Sequence, residues 1–361
     1  MNTIHNFNAG PAMLPPAVLE RVQAEWRDFA DTGISILEVS HRSREFEALV
    51  HDSEALLKRL LGLAEGYRVL FLQGGASLQF AMVPLNFLGA GRSADYLVTG
   101  TWGEKAVEEA RLLAKGGEAG ELRVVSTGPV YDHVPTSVLT ADHAAYVHLT
   151  TNETIQGVQW HSIPELGDVP LIADMSSDIL SRPLDASRFA LIYAGAQKNL
   201  GPSGVTVVVI REDMLARANR GVPTMMRYET HAKNNSLYNT PPTFGIFVLH
   251  RVLEWIEQNG GAAGMHDRNE AKAHTLYEVI DEGYYQGHAA PQSRSRMNVT
   301  FRLPSPEAEK QFLAEAGKQG MIGLAGHRSV GGVRASLYNA VPLSSCRFLA
   351  DFMREFARRH G

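Results

Sequence analysis

The chain has 361 residues, 44% of them apolar and 20% charged, with 33 glycines and 17 prolines dispersed along it. That length allows a sizeable core and two unequal lobes, and the composition excludes a disordered or fibrous chain. The net charge of -5 offers no general attraction to nucleic acid or anionic lipid, although a local basic pocket is compatible with it.

In chain order, Pro15 and Pro16 open a helix whose apolar stripe is Val18, Val22, Trp26 and Phe29. A strand at Arg68–Leu72 leads through a glycine turn into a helix at Ser77–Leu88, and a strand at Asp95–Val98 precedes a helix at Glu104–Ala114. Strand-like runs follow at Leu122–Ser126, Ala144–Leu149, Pro170–Ala173, Phe189–Tyr193 and Val205–Ile210, then a helix at Thr243–Gln258. Several runs are apolar on both alternating faces, as in strands covered on both sides by helices. Residues 259–264, Asn-Gly-Gly-Ala-Ala-Gly, read as a hinge or helix end. Beyond them come a helix at Met265–Ile280, strands at Met297–Phe301 and Gly332–Ser336, and two further helices. The expected fold is α/β: a mainly parallel sheet with helices on both faces in residues 16–260, and a smaller α+β domain of residues 261–361 joined by residues 1–15.

The single cysteine, Cys346, excludes an internal disulfide and a cysteine-rich zinc site and reads as a packed side chain; no metal is expected. Residues 1–11 lack the basic start and apolar run of a secretory signal, and no stretch approaches the roughly 18 apolar residues that span a bilayer. A cytoplasmic protein is the expectation.

Two charged residues stand at the ends of buried-looking strands. Phe189-Ala-Leu-Ile-Tyr-Ala-Gly-Ala-Gln-Lys198 places a lysine among small residues that leave room for a planar ligand. A desolvated lysine gives up its proton more readily, and the neutral amine forms Schiff bases. Pro170-Leu-Ile-Ala-Asp174 ends in a carboxylate at the sheet edge where open α/β folds bind ligands. A pyridine nitrogen needs such an anion to stay protonated. Alone, Lys198 could be a solvated lysine and Asp174 a helix cap; together they point to pyridoxal phosphate. Gly74-Gly-Ala-Ser77, between strand and helix, exposes backbone N–H groups suited to phosphate, and its spacing is not that of a dinucleotide-binding turn. Trp102, between small residues, could lie over a ring or pack in the core.

The segment Ala194-Gly-Ala-Gln-Lys-Asn-Leu-Gly-Pro-Ser-Gly204 resembles the cofactor-lysine segment of the phosphoserine aminotransferases, within the fold-type I, class V aminotransferases. Asn6-Phe-Asn-Ala-Gly-Pro-Ala-Met-Leu14, Ser40-His-Arg-Ser43, Asn152-Glu-Thr154 and Asp174-Met-Ser-Ser-Asp178 match in the same order. The resemblance implies a homodimer with active sites at the subunit boundary. It makes Lys198 the Schiff-base lysine, Asp174 the pyridinium partner, Trp102 the stacking ring and Thr154 the neighbour of the ring hydroxyl. It assigns the cofactor phosphate to Ala76, Ser77 and Gln197, with Asn239 and Thr240 from the neighbouring subunit. Some relatives carry arginine at the position of Ser77, so the resemblance implies a contact there made mainly by backbone and a less basic substrate entrance.

The implied reaction interconverts 3-phosphohydroxypyruvate and glutamate with O-phospho-L-serine and 2-oxoglutarate, by ping-pong transfer through Lys198. A dianionic phosphate and a carboxylate call for forked cationic donors. The resemblance supplies them as His41 and Arg42, His327 and Arg328, and Arg334 for the α-carboxylate, although either His-Arg pair alone could be a solvated surface pair. It leaves open 4-phosphohydroxythreonine, the family's second acceptor, in pyridoxine synthesis. An alanine–glyoxylate or serine–pyruvate aminotransferase would share Lys198 and Asp174 without needing both His-Arg pairs. A desulfurase would need a catalytic cysteine, a nucleotide-binding oxidoreductase a different glycine spacing, and a non-catalytic binding protein would have no use for the lysine and aspartate together.

Overall fold

The structure, a computed structural model, describes residues 4–115, 120–141 and 143–361. Seven strands form the central sheet: β1 (Tyr67–Leu72), β2 (Ser93–Val98), β3 (Glu121–Ser126), β4 (Val147–Thr150), β5 (Leu171–Asp174), β6 (Leu191–Gly195) and β7 (Thr206–Arg211). Their spatial order is β1-β7-β6-β5-β4-β2-β3, and only β7 runs against its two neighbours. Because an antiparallel neighbour needs no crossover helix, the chain turns straight back from β6 into β7. Lys198 sits in that return, closed by the Ala196 N–H on the Val205 carbonyl at 2.9 Å.

Alternation along the strands divides the core into two layers. Phe71, Leu149, Ala173, Ile192, Val207 and Val209 face the helices Pro16–Glu25, Arg44–Leu60 and Thr243–Gln258. Leu70, Tyr96, Ile172, Tyr193, Val208 and Ile210 face Gly75–Phe87 and Thr101–Lys115. The expected mainly parallel, doubly covered sheet is present.

A third apolar cluster lies apart from these layers. Phe7 joins Leu276, Val299, Phe301, Phe312, Val333, Ala335 and Phe356. Around it are a three-stranded antiparallel sheet, Gln286–Gly287, Asn298–Arg302 and Val333–Ser336, and the helices Gly261–Asp281, Pro306–Lys318 and Leu343–His360. The N-terminal pair His5–Asn6 runs parallel to Met321–Ile322, which fastens the start of the chain to this unit. Cys346 is fully buried here, and burial pushes its thiol up to about 12.

Three of the boundaries that differ from expectation have a visible cause. The first helix stops at Glu25 because the Trp26 carbonyl is taken by the Ser35 hydroxyl at 2.6 Å and the Ile36 N–H at 3.2 Å; Phe29 reaches the core from a separate 3-10 turn. The break at residues 259–264 shrinks to Asn259 and Gly260, since Gly261 already starts the next helix. Gly264 is helical, and a Cβ there would lie 2.0 Å from the Asn259 carbonyl oxygen. Finally, the helix after β2 begins at Thr101, which puts Trp102 in its first turn rather than in a loop.

Candidate active site

The parallel strands β4, β5 and β6 end side by side, and their register pairs Thr150 with Asp174 and Asp174 with Tyr193. Asp174 is the last residue of β5 and only 4% exposed. It accepts a hydrogen bond from the Ser176 N–H at 2.8 Å, and the Ser176 hydroxyl accepts from the Gly195 N–H at 3.0 Å, which joins the exits of β5 and β6. Burial raises the Asp174 carboxyl above its usual range, while the Ser176 hydrogen bonds and the Lys198 charge oppose the rise. A buried carboxylate with so little compensation fits a cationic ring nitrogen as its partner.

Lys198 is half-buried and donates from Nζ to Thr154 Oγ1 at 2.6 Å. Its Nζ also stands 5.8 Å from the centroid of the Trp102 ring. The N-terminal segment walls the same turn: the Ala12 N–H reaches the Gln197 carbonyl at 2.8 Å, and a Cβ on Gly10 would touch Lys198 Cγ at 3.4 Å. Thr154 comes from a short hairpin in which Asn152–Glu153 pairs with Val158–Gln159. Lys198, Thr154, Trp102 and Asp174 therefore converge at one sheet edge. The buried Trp102 Nε1 has no hydrogen-bond partner among the described residues.

At the end of β1, Gly74 adopts φ +87 and starts the helix Gly75–Phe87, which no described side chain caps. Uncapped N–H groups at a positive helix end fit a phosphate. Ala76 and the exposed Ser77 lie in its first turn, and Gln197 lies beside Lys198. Taken together, the anionic partner, the flat indole, the lysine and the open helix end fit a phosphorylated pyridine aldehyde.

The other expected residues are less closely gathered. The Thr240 carbonyl accepts from Gln73 Nε2 at 3.3 Å, so Asn239 and Thr240 stand beside the glycine turn of their own chain. No hydrogen bond among the described residues links them to Lys198 or Thr154. His41 and Arg42 precede the helix Arg44–Leu60, and the buried His41 Nε2 is unpartnered among the described residues. His327 bonds Ser329 Oγ at 2.7 Å, and burial followed by the charges of Arg334, Arg328 and Lys105 lowers its pKa; Arg328 is exposed. Arg334 is paired across the small sheet with Thr300, whose hydroxyl donates to the Gln156 carbonyl at 2.7 Å. The Arg334 Nε is buried without a partner among the described residues, as expected of a guanidinium waiting for an anion.

Sequence reasoning missed Glu153, Gln156 and Ser176. Glu153 is fully buried, accepts from the Trp102 and Gly103 N–H groups at 2.9 Å each, and is pushed up to about 7 by burial against the pull of those two bonds. Only its place in Asn152-Glu-Thr154 signalled it, because the groups it holds are some 50 positions away.

The aminotransferase class-V family model matches residues 4–345. The phosphoserine aminotransferase of Herpetosiphon aurantiacus is 60% identical, over 99% of this chain and 100% of that one. The solved phosphoserine aminotransferase of Bacillus circulans subsp. alkalophilus superposes with a TM-score of 0.96 at 53% identity, covering 99% of each chain. That of Trichomonas vaginalis, with pyridoxal phosphate bound, gives 0.91 at 39% identity over 98% of this chain and 100% of that one. With the match running essentially end to end, the chain belongs to the phosphoserine aminotransferases of the class V aminotransferase family.

Proposed function

We propose that the chain moves an amino group between L-glutamate and 3-phosphohydroxypyruvate, giving 2-oxoglutarate and O-phospho-L-serine, with pyridoxal phosphate as cofactor. The observation that carries this reading is the convergence of Lys198, Thr154, Trp102 and Asp174 at one sheet edge in a chain of this family. Lys198, Asp174, Trp102, Thr154, Gln197 and the first turn of the helix Gly75–Phe87, with Ala76 and Ser77, would hold the cofactor. When bound, the pyridine ring supplies the sink for the electron pair left as the substrate α-proton departs.

The residues divide the remaining work. Lys198 Nζ takes the α-proton and returns it, and Thr154, 2.6 Å away, orients that amine. Asp174 places a fixed negative charge where the ring nitrogen is to stay protonated, in surroundings too dry to screen it. Trp102 fixes the plane of the ring. Arg334 forks onto the α-carboxylate, and His41, Arg42, His327 and Arg328 receive the substrate phosphate, with Arg42 also serving the side-chain carboxylate of glutamate.

The same reading makes the protein a homodimer in which Asn239 and Thr240 complete the partner's phosphate site. The exposed apolar side chains Met225 and Tyr238 support it, since Met225 lines the same pocket as Asn239 and Tyr238 precedes Asn239 in the chain. It divides the chain into residues 16–260 and residues 1–15 with 261–361, supported by the separate cluster that Phe7 shares with the C-terminal helices. It places the protein in the cytoplasm; among the described residues no helix is long and apolar enough to cross a membrane.

The test is titration with O-phospho-L-serine while following the cofactor absorbance, with L-serine as the matched control. A spectral change with phosphoserine alone is expected. An equal response to serine would favour an aminotransferase of unphosphorylated substrates, and no cofactor band after adding pyridoxal phosphate would overturn the role of Lys198.

A further inference from the structure

The helix carrying Trp102 is capped from a distance. Its first three N–H groups all point to one hairpin: Thr101 to Gln156 Oε1 at 3.3 Å, Trp102 to Glu153 Oε2 at 2.9 Å and Gly103 to Glu153 Oε1 at 2.9 Å. Gln156 Nε2 returns a hydrogen bond to Thr101 Oγ1 at 2.7 Å. A helix is ordinarily capped by a Ser, Thr, Asp or Asn immediately before it, yet position 100 is glycine. A Cβ on Gly100 would lie 2.5 Å from Glu153 Cγ and Cδ, so a local cap and the remote carboxylate cannot coexist.

The remote arrangement is costly if capping is its only purpose. Glu153 is fully buried, and taking a carboxylate out of water is among the most expensive steps in folding. A local serine would cap the helix without that penalty. The carboxylate gains, instead, a connection: its neighbour Thr154 holds Lys198 Nζ at 2.6 Å, and that Nζ lies 5.8 Å from the centre of the indole. One hairpin thus grips the stacking residue from its backbone and the lysine from its side chain.

We propose that Glu153 is a positioning residue: its carboxylate, bound to the Trp102 and Gly103 N–H groups, sets the plane of the indole relative to Lys198, and with it the orientation that a ring stacked on the indole would take. This rests on the cofactor reading above. Both carboxylate oxygens of Glu153 are taken up by backbone N–H groups of this helix, so it acts through Trp102. A carboxylate suits the task because both of its oxygens accept, and because negative charge is favoured at a helix N-terminus. Glutamine has the same shape but only one accepting atom, so one of the two N–H groups would face an amide donor.

The test uses full-length enzyme loaded with pyridoxal phosphate, in wild type, Glu153→Gln, Glu153→Asp and Trp102→Ala, alone and combined. The expected result for Glu153→Gln is an unchanged far-ultraviolet spectrum, a weakened visible circular-dichroism band of the bound cofactor, and about tenfold weaker cofactor binding by the cofactor-free protein. kcat should fall more than KM for phosphoserine. In the Trp102→Ala background, Glu153→Gln should add little further loss, since the residue through which it acts is gone. A normal visible band with normal cofactor affinity in Glu153→Gln would overturn the proposal, as would full additivity with Trp102→Ala. If Glu153→Gln does not fold, Glu153→Asp, which keeps the charge but is one methylene shorter, is read by the same criteria; unfolding of both would assign Glu153 to stability alone and overturn it too. A wild-type protein without a cofactor band would instead defeat the functional reading, so the two failures are distinguishable.

Discussion

The side-chain carbonyl of Asn199, the residue after Lys198, accepts a hydrogen bond from the Asn339 N–H at 3.0 Å. Asn339 also donates from Nδ2 to the Leu180 carbonyl at 3.1 Å and accepts from Asn269 Nδ2 at 2.9 Å. Asn339 follows the strand Val333–Ser336 that carries Arg334. The segments that carry the amine proposed to move the α-proton and the guanidinium proposed to hold the α-carboxylate are therefore joined, one and five residues away from them, by a buried amide network that holds the two segments in place relative to each other. Asn339→Ala would leave the Leu180 carbonyl and Asn269 short of partners in the interior. The expected cost is about 1–3 kcal/mol, read as a lower midpoint in urea, together with a raised KM for glutamate. An unchanged midpoint would count against the network as a stabilising link.

Lys198→Ala removes the amine in contact with Thr154 Oγ1. Loss of a positioned acid–base group costs about 10²–10⁴-fold in rate, and here the same group would also anchor the cofactor. Turnover of phosphoserine should fall beyond detection in a coupled assay, while the cofactor-free variant melts near wild type. Appreciable turnover would sink the assignment of Lys198.

How far the site was legible follows from where each signal lies along the chain. Asp174 and Lys198 could be read because each ends an apolar run, and a charge at the edge of a buried strand stands out locally. Trp102 was visible as a residue but not as part of a helix, because glycines at 100 and 103 mask the helix start. Those glycines make sense only beside Glu153, whose carboxylate fills the space a side chain at 100 would take. The hinge at residues 259–264 was overdrawn for a related reason. Gly264 looks like a breaker in sequence, yet it is a helical residue pressed against the Asn259 carbonyl. Alternation gave the sheet; contacts between distant residues decided the details.

Gly74→Ala tests the phosphate cradle through its backbone. Gly74 has φ +87, and a Cβ there would lie 2.6 Å from Leu78 Cβ and Cδ2, in the helix it begins. Forcing a side chain into that conformation costs about 1–3 kcal/mol. The variant should melt earlier as the cofactor-free protein and bind pyridoxal phosphate more weakly, both measurable by tryptophan fluorescence. Wild-type melting together with wild-type affinity would mean that the turn is not held as the structure has it.

Asp174→Asn separates chemistry from folding. An amide in place of the carboxylate cannot keep a ring nitrogen protonated, and loss of a single preorganised electrostatic contact of this kind costs about 10²–10³ in kcat. In the cofactor-free protein the effect on stability runs with pH. Burial holds the folded pKa of Asp174 above its unfolded value, so its contribution is fully present below the unfolded pKa and is lost as pH rises through the folded one. Wild type should therefore lose stability relative to Asp174→Asn as pH rises across that interval, since the variant has nothing to ionise. The gap between the two urea midpoints, followed from acid towards neutral pH without cofactor, checks the sign. A gap independent of pH would show that Asp174 carries no ionisation cost in the fold, and the dry site proposed to make its charge effective would lose its support.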